Sequence, residues 1–120
     1  MNAELSKTFR FEAGHRLPNV PAGHKCANPH GHSYRVTVTV AGPVDERAGW
    51  VMDFGRITAA VGPLIDRLDH ADLNAVEGLD NPTSELLARW FWDRVKPALP
   101  ELSAMAVAES ETCLCVYRGK

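Results

Sequence analysis

Three histidines lie at spacings that allow them to bind one metal ion. His30 and His32 alternate along a predicted strand, so both imidazoles lie on one face, about 6.5 to 7 Å apart at the backbone. His15 ends the preceding predicted strand on the matching face and can supply a third ligand. Three neutral imidazoles with one open position form the ligand set of a catalytic zinc rather than a structural one. Surface or capping histidines are the alternative, and the pattern alone does not decide between them.

A cysteine precedes the histidine pair in a loop rich in Pro, Gly and Asn. Cys26 can be a fourth metal ligand, which would close the site, or a thiolate nucleophile or base held beside the metal. A buried and inert side chain is the third possibility. His24 has no assigned role beyond the loop surface or the surroundings of the site.

An adjacent acid and histidine follow the first predicted helix directly. Asp69 can orient His70 as a general acid or base, which is a common arrangement for proton transfer. The same two residue types also occur at helix ends for structural reasons, because a cation stabilises the C-terminal dipole and Asp favours turns. Both interpretations remain open on the pattern alone.

Two glutamates share the apolar parity of the last predicted strand segment. Glu109 and Glu111 follow Met105 and Val107 at alternate positions, and a carboxylate on an apolar face needs a partner. A flat ligand with two adjacent N–H donors, such as a pterin or guanine edge, would bind it in a bidentate manner. The alternative is an edge-strand charge that prevents aggregation.

The elements that must position these residues follow the order strand, strand, helix, helix, strand, strand. Strand patterns occur over residues 5–11, 34–40 and 103–117, and the last of these provides two strands. This order predicts an α+β fold in which two helices cover one face of an antiparallel four-stranded sheet. An open sheet of this kind has two edges, and we expect other chains to pair with them.

Capping residues predict where the two helices begin. Asp53 is the expected N-cap of the first helix, and Asn81 followed by Pro82 is the expected start of the second. Gly62 and Pro63 interrupt the first helical pattern. Because proline cannot donate to the carbonyl four residues earlier, we expect a kink or a break there.

Length and composition exclude several classes of protein. The chain has 120 residues and a mass of 13.2 kDa, which predicts one domain over residues 1–120. Thirteen basic and 15 acidic residues give a net charge of −2, so we expect no nucleic-acid partner. We expect no signal peptide and no membrane segment. Three cysteines are too few for a disulfide scaffold, which favours a reducing cytoplasm.

Five collinear motifs resemble one known family over nearly the whole chain. The run FEAGHRLPNVPAGHKCANPHGHSY is similar to the zinc and cysteine region of the 6-pyruvoyltetrahydropterin synthase family. GWVMDFG, LDHADLN, NPTSE and the terminal ES…Y resemble the later motifs of the family in the same order. The short gap between Cys26 and His30 resembles the bacterial 6-carboxytetrahydropterin synthase branch of queuosine biosynthesis, since the animal 6-pyruvoyl enzymes carry a longer gap.

The resemblance implies a role for each matching residue. The family's zinc ligands correspond to His15, His30 and His32. Cys26 matches the catalytic cysteine, and Asp69 with His70 matches the charge-paired proton relay.

The pterin-anchoring glutamate requires a choice between two positions. In the family it lies eight residues before a terminal tyrosine, and this count leads from Tyr117 to Glu109. Glu111-Thr112 is more similar to the family's Glu-Thr pair but lies two residues too late. We choose Glu109, with Ser110 in place of the threonine, because a strand between fixed partners preserves its register.

The resemblance also implies a fold, an assembly and a reaction. The expected fold is the tunnelling fold, in which three sheets close into a barrel and two trimers stack into a homohexamer with active sites between subunits. The expected substrate is 7,8-dihydroneopterin triphosphate, and the expected products are 6-carboxy-5,6,7,8-tetrahydropterin, acetaldehyde and triphosphate. The alternatives are 6-pyruvoyltetrahydropterin synthesis and a non-catalytic zinc or pterin-binding protein. By charge alone, three residues are candidates for the triphosphate contact: Arg16, Lys25 and Arg118.

Overall fold

A long antiparallel hairpin dominates the structure, a computed structural model that describes residues 1–120. Strand β1 spans Asn2–His15 and strand β2 spans His30–Pro43. The two pair without interruption from Asn2 opposite Pro43 to His15 opposite His30. Apolar side chains alternate along both strands and face the core, as the period of two predicts. The hairpin therefore brings the histidine segments together at one end.

Three shorter strands complete a five-stranded sheet. Strand β3 spans Ala71–Asp72, β4 spans Leu102–Ala108 and β5 spans Leu114–Tyr117, in the order β3-β1-β2-β4-β5. The α+β fold with helices between strand pairs is confirmed. The prediction of four antiparallel strands is wrong in one respect, because β3 adds a fifth strand that runs parallel to β1. A two-residue strand carries no periodic signal that the sequence pattern could reveal.

Two helices cover one face of this sheet. Helix α1 spans Phe54–Leu68, and the side chain of its N-cap Asp53 accepts from the backbone of Gly55 as expected. The predicted break at Pro63 does not occur, since α1 continues through it. Ala59 and Pro63 are exposed, so water can bond the carbonyl that lacks an intrahelical partner. Neither helix of the chain combines the length and apolar content that crossing a membrane requires.

Helix α2 begins two residues later than the sequence predicts. It spans Ser84–Val95, and Thr83 is its N-cap, with its hydroxyl accepting from the backbone N–H of Leu86 at 3.2 Å. Asn81 and Pro82 lie before the helix. The Pro82 carbonyl binds His15 instead, so a tertiary contact overrides the local capping preference.

The core lies between the helices and the sheet, and the two sheet edges remain open. Each large side chain buried there contributes about 1.5 to 3 kcal/mol relative to exposure. On the outer edge, β3 pairs with β1 only at Ala13 and Gly14. Strand β5 is the other edge, and its Leu114 and Val116 are exposed. Unpaired strand edges of this kind bind other chains readily.

Candidate metal centre and active site

The hairpin register places three imidazoles around one point. His15 pairs with His30 across the two strands, and His32 lies opposite Ala13 on the same face. The three ring centroids are 4.6 to 4.9 Å apart, and one nitrogen from each ring lies within 4.8 Å of the others. This convergence agrees with the sequence expectation for a three-histidine cluster.

Backbone carbonyls select the tautomer of two of these rings. The Nδ1 atom of His15 lies 2.9 Å from the carbonyl of Pro82, and that of His30 lies 2.8 Å from the carbonyl of Asn28. A carbonyl only accepts, so in the neutral form of each ring Nδ1 carries the proton and Nε2 carries the lone pair. The two Nε2 atoms are 3.0 Å apart, and two lone pairs at that distance favour a cation between them.

Burial keeps His15 neutral, which suits a metal ligand. The side chain is 3% exposed, and this burial lowers its pKa below the ordinary value of 6.5. The neighbouring His30 and His32 lower the pKa further, while the hydrogen bond to Pro82 opposes the shift. The residues present therefore fit a divalent ion such as zinc, with a position open for a ligand.

Tyr34 supports the ring of His15 from behind. Its hydroxyl lies 3.1 Å from His15 Nδ1, and its ring stacks on Phe11 at 4.9 Å. Burial raises the pKa of Tyr34 well above its usual range, so the phenol stays neutral. The sequence showed Tyr34 only as one apolar member of a strand, because a strand pattern does not reveal which hydroxyl meets which ring.

Cys26 lies on a short turn that faces the histidines. It belongs to a 3-10 helix of residues Lys25–Ala27, and its carbonyl accepts from Leu17 at 2.7 Å. His24, which the sequence left without a role, caps this turn by accepting from the backbone N–H of Cys26 at 3.0 Å. The partly buried Cys26 borders a cavity of about 370 Å³, which is lined by His15, Leu17, Lys25, Cys26, His30, His32 and Glu109.

Glu109 borders the same cavity, whereas Glu111 does not. The Oε2 atom of Glu109 lies 3.9 Å from His32 Nε2 and accepts from the Ser84 hydroxyl at 3.3 Å. Glu111 is exposed. The predicted strand parity of the two glutamates is wrong, because β4 ends at Ala108 and both residues lie in the turn before β5. Small polar residues in this turn interrupt the ladder that we extrapolated from β4.

Asp69 and His70 form a contact pair at the end of α1. The Oδ1 atom of Asp69 lies 3.1 Å from His70 Nδ1 and accepts from the backbone N–H of Glu12 at 2.9 Å. The hydrogen bond from Glu12 lowers the pKa of Asp69 below its usual value, and His70 lowers it further. His70 has a left-handed φ of 61°, and its own N–H donates to the Glu12 carbonyl.

This acid–histidine pair does not share the cavity of Cys26 and Glu109. His70 borders two neighbouring grooves, which include His15, His30 and His32 but neither Cys26 nor Glu109. The His70 side chain is 80% exposed. One chain therefore brings together five of the predicted site residues and leaves the Asp69–His70 pair beside them.

Comparison with known proteins identifies the family. The sequence profile described as 6-pyruvoyl tetrahydropterin synthase matches residues 4–120. A Synechocystis 6-carboxy-5,6,7,8-tetrahydropterin synthase is 39% identical and covers 94% of this chain and 91% of its own. The Bacillus subtilis protein of the same name is 32% identical, with coverages of 98% and 86%.

A relative and a solved structure named as 6-pyruvoyl synthases are also similar to this chain. The human 6-pyruvoyl tetrahydrobiopterin synthase is 33% identical over 98% of this chain and 92% of its own. The structure of Caenorhabditis elegans 6-pyruvoyl tetrahydropterin synthase superposes with a TM-score of 0.92 at 25% identity, covering 100% of this chain and 97% of that one. Together with the profile match over almost the whole length, this means that the chain belongs to the 6-pyruvoyl tetrahydropterin synthase family.

Proposed function

We propose that this chain is a zinc-dependent 6-carboxy-5,6,7,8-tetrahydropterin synthase, a carbon–carbon lyase of queuosine biosynthesis. The observation that carries the proposal is the convergence of the three histidines, Cys26 and Glu109 on one cavity. Relatives at 32 to 39% identity that bear this activity name support the choice of reaction within the family.

The proposed reaction balances as an elimination followed by a hydrolytic cleavage. Loss of triphosphate from 7,8-dihydroneopterin triphosphate, with internal redistribution of hydrogens, leaves a pyruvoyl side chain on a tetrahydropterin. Water then cleaves the bond between the two carbonyl carbons and gives 6-carboxytetrahydropterin and acetaldehyde. A 6-pyruvoyltetrahydropterin synthase stops before the cleavage, and the short gap between Cys26 and His30 disfavours that activity.

The histidine cluster would hold the metal through His15, His30 and His32. Neutral nitrogen donors suit zinc better than calcium or magnesium, which prefer oxygen ligands. When bound, zinc would supply Lewis acidity toward the side-chain hydroxyls of the substrate. The carbonyls of Pro82 and Asn28 hold two of the rings in the orientation that this role needs.

Glu109 would anchor the pterin by accepting two adjacent N–H groups of its edge. A bidentate carboxylate fixes both position and orientation of a flat ligand. The Ser84 hydroxyl holds one of its oxygens, so the side chain is oriented before the ligand arrives. Its place on the cavity favours it over the exposed Glu111.

Cys26 and the Asp69–His70 pair would carry the proton transfers. Cys26 borders the cavity and, as a thiolate, would remove a proton from the substrate side chain. His70, oriented by Asp69, would supply or relay a proton. Lys25 lines the cavity and Arg16 a neighbouring groove, so both remain candidates for binding triphosphate, whereas Arg118 borders neither of these spaces.

We further propose that the working unit is a homohexamer of two trimers. Two observations support it: both sheet edges are open, and the Asp69–His70 pair does not line the cavity that holds Cys26 and Glu109. A site between subunits would let the Asp69–His70 pair of one chain act in the cavity of a neighbouring chain.

One continuous core supports a single domain over residues 1–120, and three free cysteines support a reducing cytoplasm.

Product identification tests the proposed reaction. Zinc-loaded protein is incubated with 7,8-dihydroneopterin triphosphate, and the products are identified by mass. We expect 6-carboxytetrahydropterin and acetaldehyde. A pyruvoyl product would select the sister activity, and unchanged substrate with measurable binding would leave only a binding protein.

A further inference from the structure

Asn74 uses its side-chain amide to hold the backbone beside the first metal ligand. It lies in the 3-10 turn Leu73–Ala75, and its own N–H donates to Asp72 Oδ1 at 3.1 Å. Its Oδ1 accepts from the N–H of Arg16 at 2.8 Å, and its Nδ2 donates to the carbonyl of Arg16 at 2.9 Å. The amide therefore pairs with both backbone groups of the residue that directly follows His15.

The same amide reaches the loop that orients the imidazole of His15. Asn74 Nδ2 also donates to the carbonyl of Asp80 at 3.3 Å. Two residues further, the carbonyl of Pro82 accepts from His15 Nδ1. The Asn74 side chain thus connects the backbone of Arg16, next to His15, with the segment from Asp80 to Pro82 that holds the His15 ring.

We propose that Asn74 is a positioning residue that sets the geometry of His15 as a metal ligand. This inference rests on the metal centre of the proposed function. Only an amide suits the position, because it must accept from one N–H and donate to two carbonyls. An aspartate of the same shape keeps the acceptor but places a carboxylate against two carbonyl oxygens.

The test compares metal binding by Asn74→Asp with that of the wild type. Loss of a partner outside the ligand set commonly lowers metal affinity by about 10- to 100-fold, and we expect a loss in this range. Zinc affinity is measured by competition with a chromophoric chelator, and the ligand geometry by the visible absorption of the cobalt-substituted protein. We expect the cobalt bands to change in position or intensity. Asn2→Asp makes the same substitution at the far end of the hairpin and should change neither measurement.

A second control separates positioning from general destabilisation. Val38→Ala removes methyl groups from a fully buried position in the middle of β2, away from the Asn74 contacts. It should lower the melting temperature of the metal-free protein without changing zinc affinity or the cobalt spectrum. Should Asn74→Asp fail to fold, Asn74→Ser removes the same two donors without adding a charge and should show the same direction of change.

The outcomes distinguish this inference from the proposed function. A folded Asn74 variant with zinc affinity within about twofold of the wild type, well below the 10-fold expected, and with an unchanged cobalt spectrum, would overturn the role of Asn74 alone. Failure of the wild type to bind zinc would overturn the metal centre, and this inference with it.

Discussion

The three-histidine cluster and the Asp69–His70 pair are neighbours, but they differ in how far one chain encloses them. His15 is 3% exposed and is held by Pro82 and Tyr34, whereas the His70 side chain is 80% exposed. A buried ring whose Nδ1 is hydrogen-bonded is typical of a metal ligand with a fixed orientation. The Asp69–His70 pair is held in one orientation, but both of its side chains remain exposed to water. We infer from this difference that one chain can hold the metal and that turnover needs two.

The exposed pair is nevertheless fixed in position through the backbone. The left-handed φ of 61° at His70 costs about 1 to 3 kcal/mol for a non-glycine residue. Glu12 offsets part of this cost, because its N–H binds Asp69 and its carbonyl accepts from the N–H of His70. Strain that is retained in this way commonly marks a functional position.

The largest expected effect follows removal of the buried ligand. His15→Ala should abolish turnover and lower zinc affinity by more than the roughly 10- to 100-fold that an outer partner contributes. Zinc content after dialysis and product formation measure both effects. His24→Ala is the matched control, since this histidine caps the Cys26 turn and should leave zinc binding intact. Zinc retained by His15→Ala would mean that His15 is not a ligand.

Removal of the thiol should separate turnover from metal binding. Cys26→Ser should lower the turnover rate by about 10²- to 10⁴-fold, the usual contribution of a positioned acid or base, and should retain zinc. Cys113→Ser changes an exposed cysteine and should affect neither property. Loss of zinc from the Cys26 variant would show that the thiol is a fourth ligand.

Mixed oligomers test whether the exposed pair serves a neighbouring cavity. Cys26→Ser and His70→Ala should each be almost inactive alone. When they are co-expressed in equal amounts, about one site in four should combine an intact cysteine from one subunit with an intact histidine from another. We therefore expect recovery of about a quarter of the wild-type activity. Mixed oligomers that form but regain no activity would place each site within one chain.

The smallest expected effects are on the pH dependence of the free energy of unfolding. His15 and Asp69 should contribute to it in different pH ranges. Burial lowers the pKa of His15, so the metal-free protein should lose stability as pH falls below about 6.5, where the unfolded chain binds the proton more readily. The lowered pKa of Asp69 makes its contribution full above about pH 4 and lost below it.

Denaturant unfolding of the metal-free protein between pH 3 and 8, roughly the range in which these groups titrate, measures both windows. His15→Gln should weaken the pH dependence of the unfolding free energy near pH 6.5, and Asp69→Asn should weaken it near pH 4, roughly where the two groups titrate. An unchanged upper window in His15→Gln would assign that dependence to the other histidines.

Side-chain parity explains why the histidine centre could be predicted from the sequence. Period two along β1 and β2 put His15, His30 and His32 on one face, and the two strands follow each other in the chain, which favours their pairing. The carbonyls that orient the rings could not be predicted. Pro82 reaches His15 only through tertiary folding. Asn28 lies two residues before His30, in a loop whose backbone conformation the strand pattern does not specify.

Sequence signals for helix and strand ends gave wrong predictions at three places in the chain. Pro63 ends a helix in most contexts, yet an exposed helix face tolerates it. The Pro82 carbonyl is needed by His15, which moves the start of α2 to Ser84. Glu109 and Glu111 were assigned to a strand because the turn between β4 and β5 lacks a strong glycine or proline signal.

The ratio of acetaldehyde to triphosphate tests the proposed function most directly. Zinc-loaded protein is mixed with 7,8-dihydroneopterin triphosphate, and both products are quantified during the same time course. Elimination followed by cleavage predicts equal amounts of the two. Triphosphate released without acetaldehyde would contradict the proposed function and would mean that the chain stops at the pyruvoyl product.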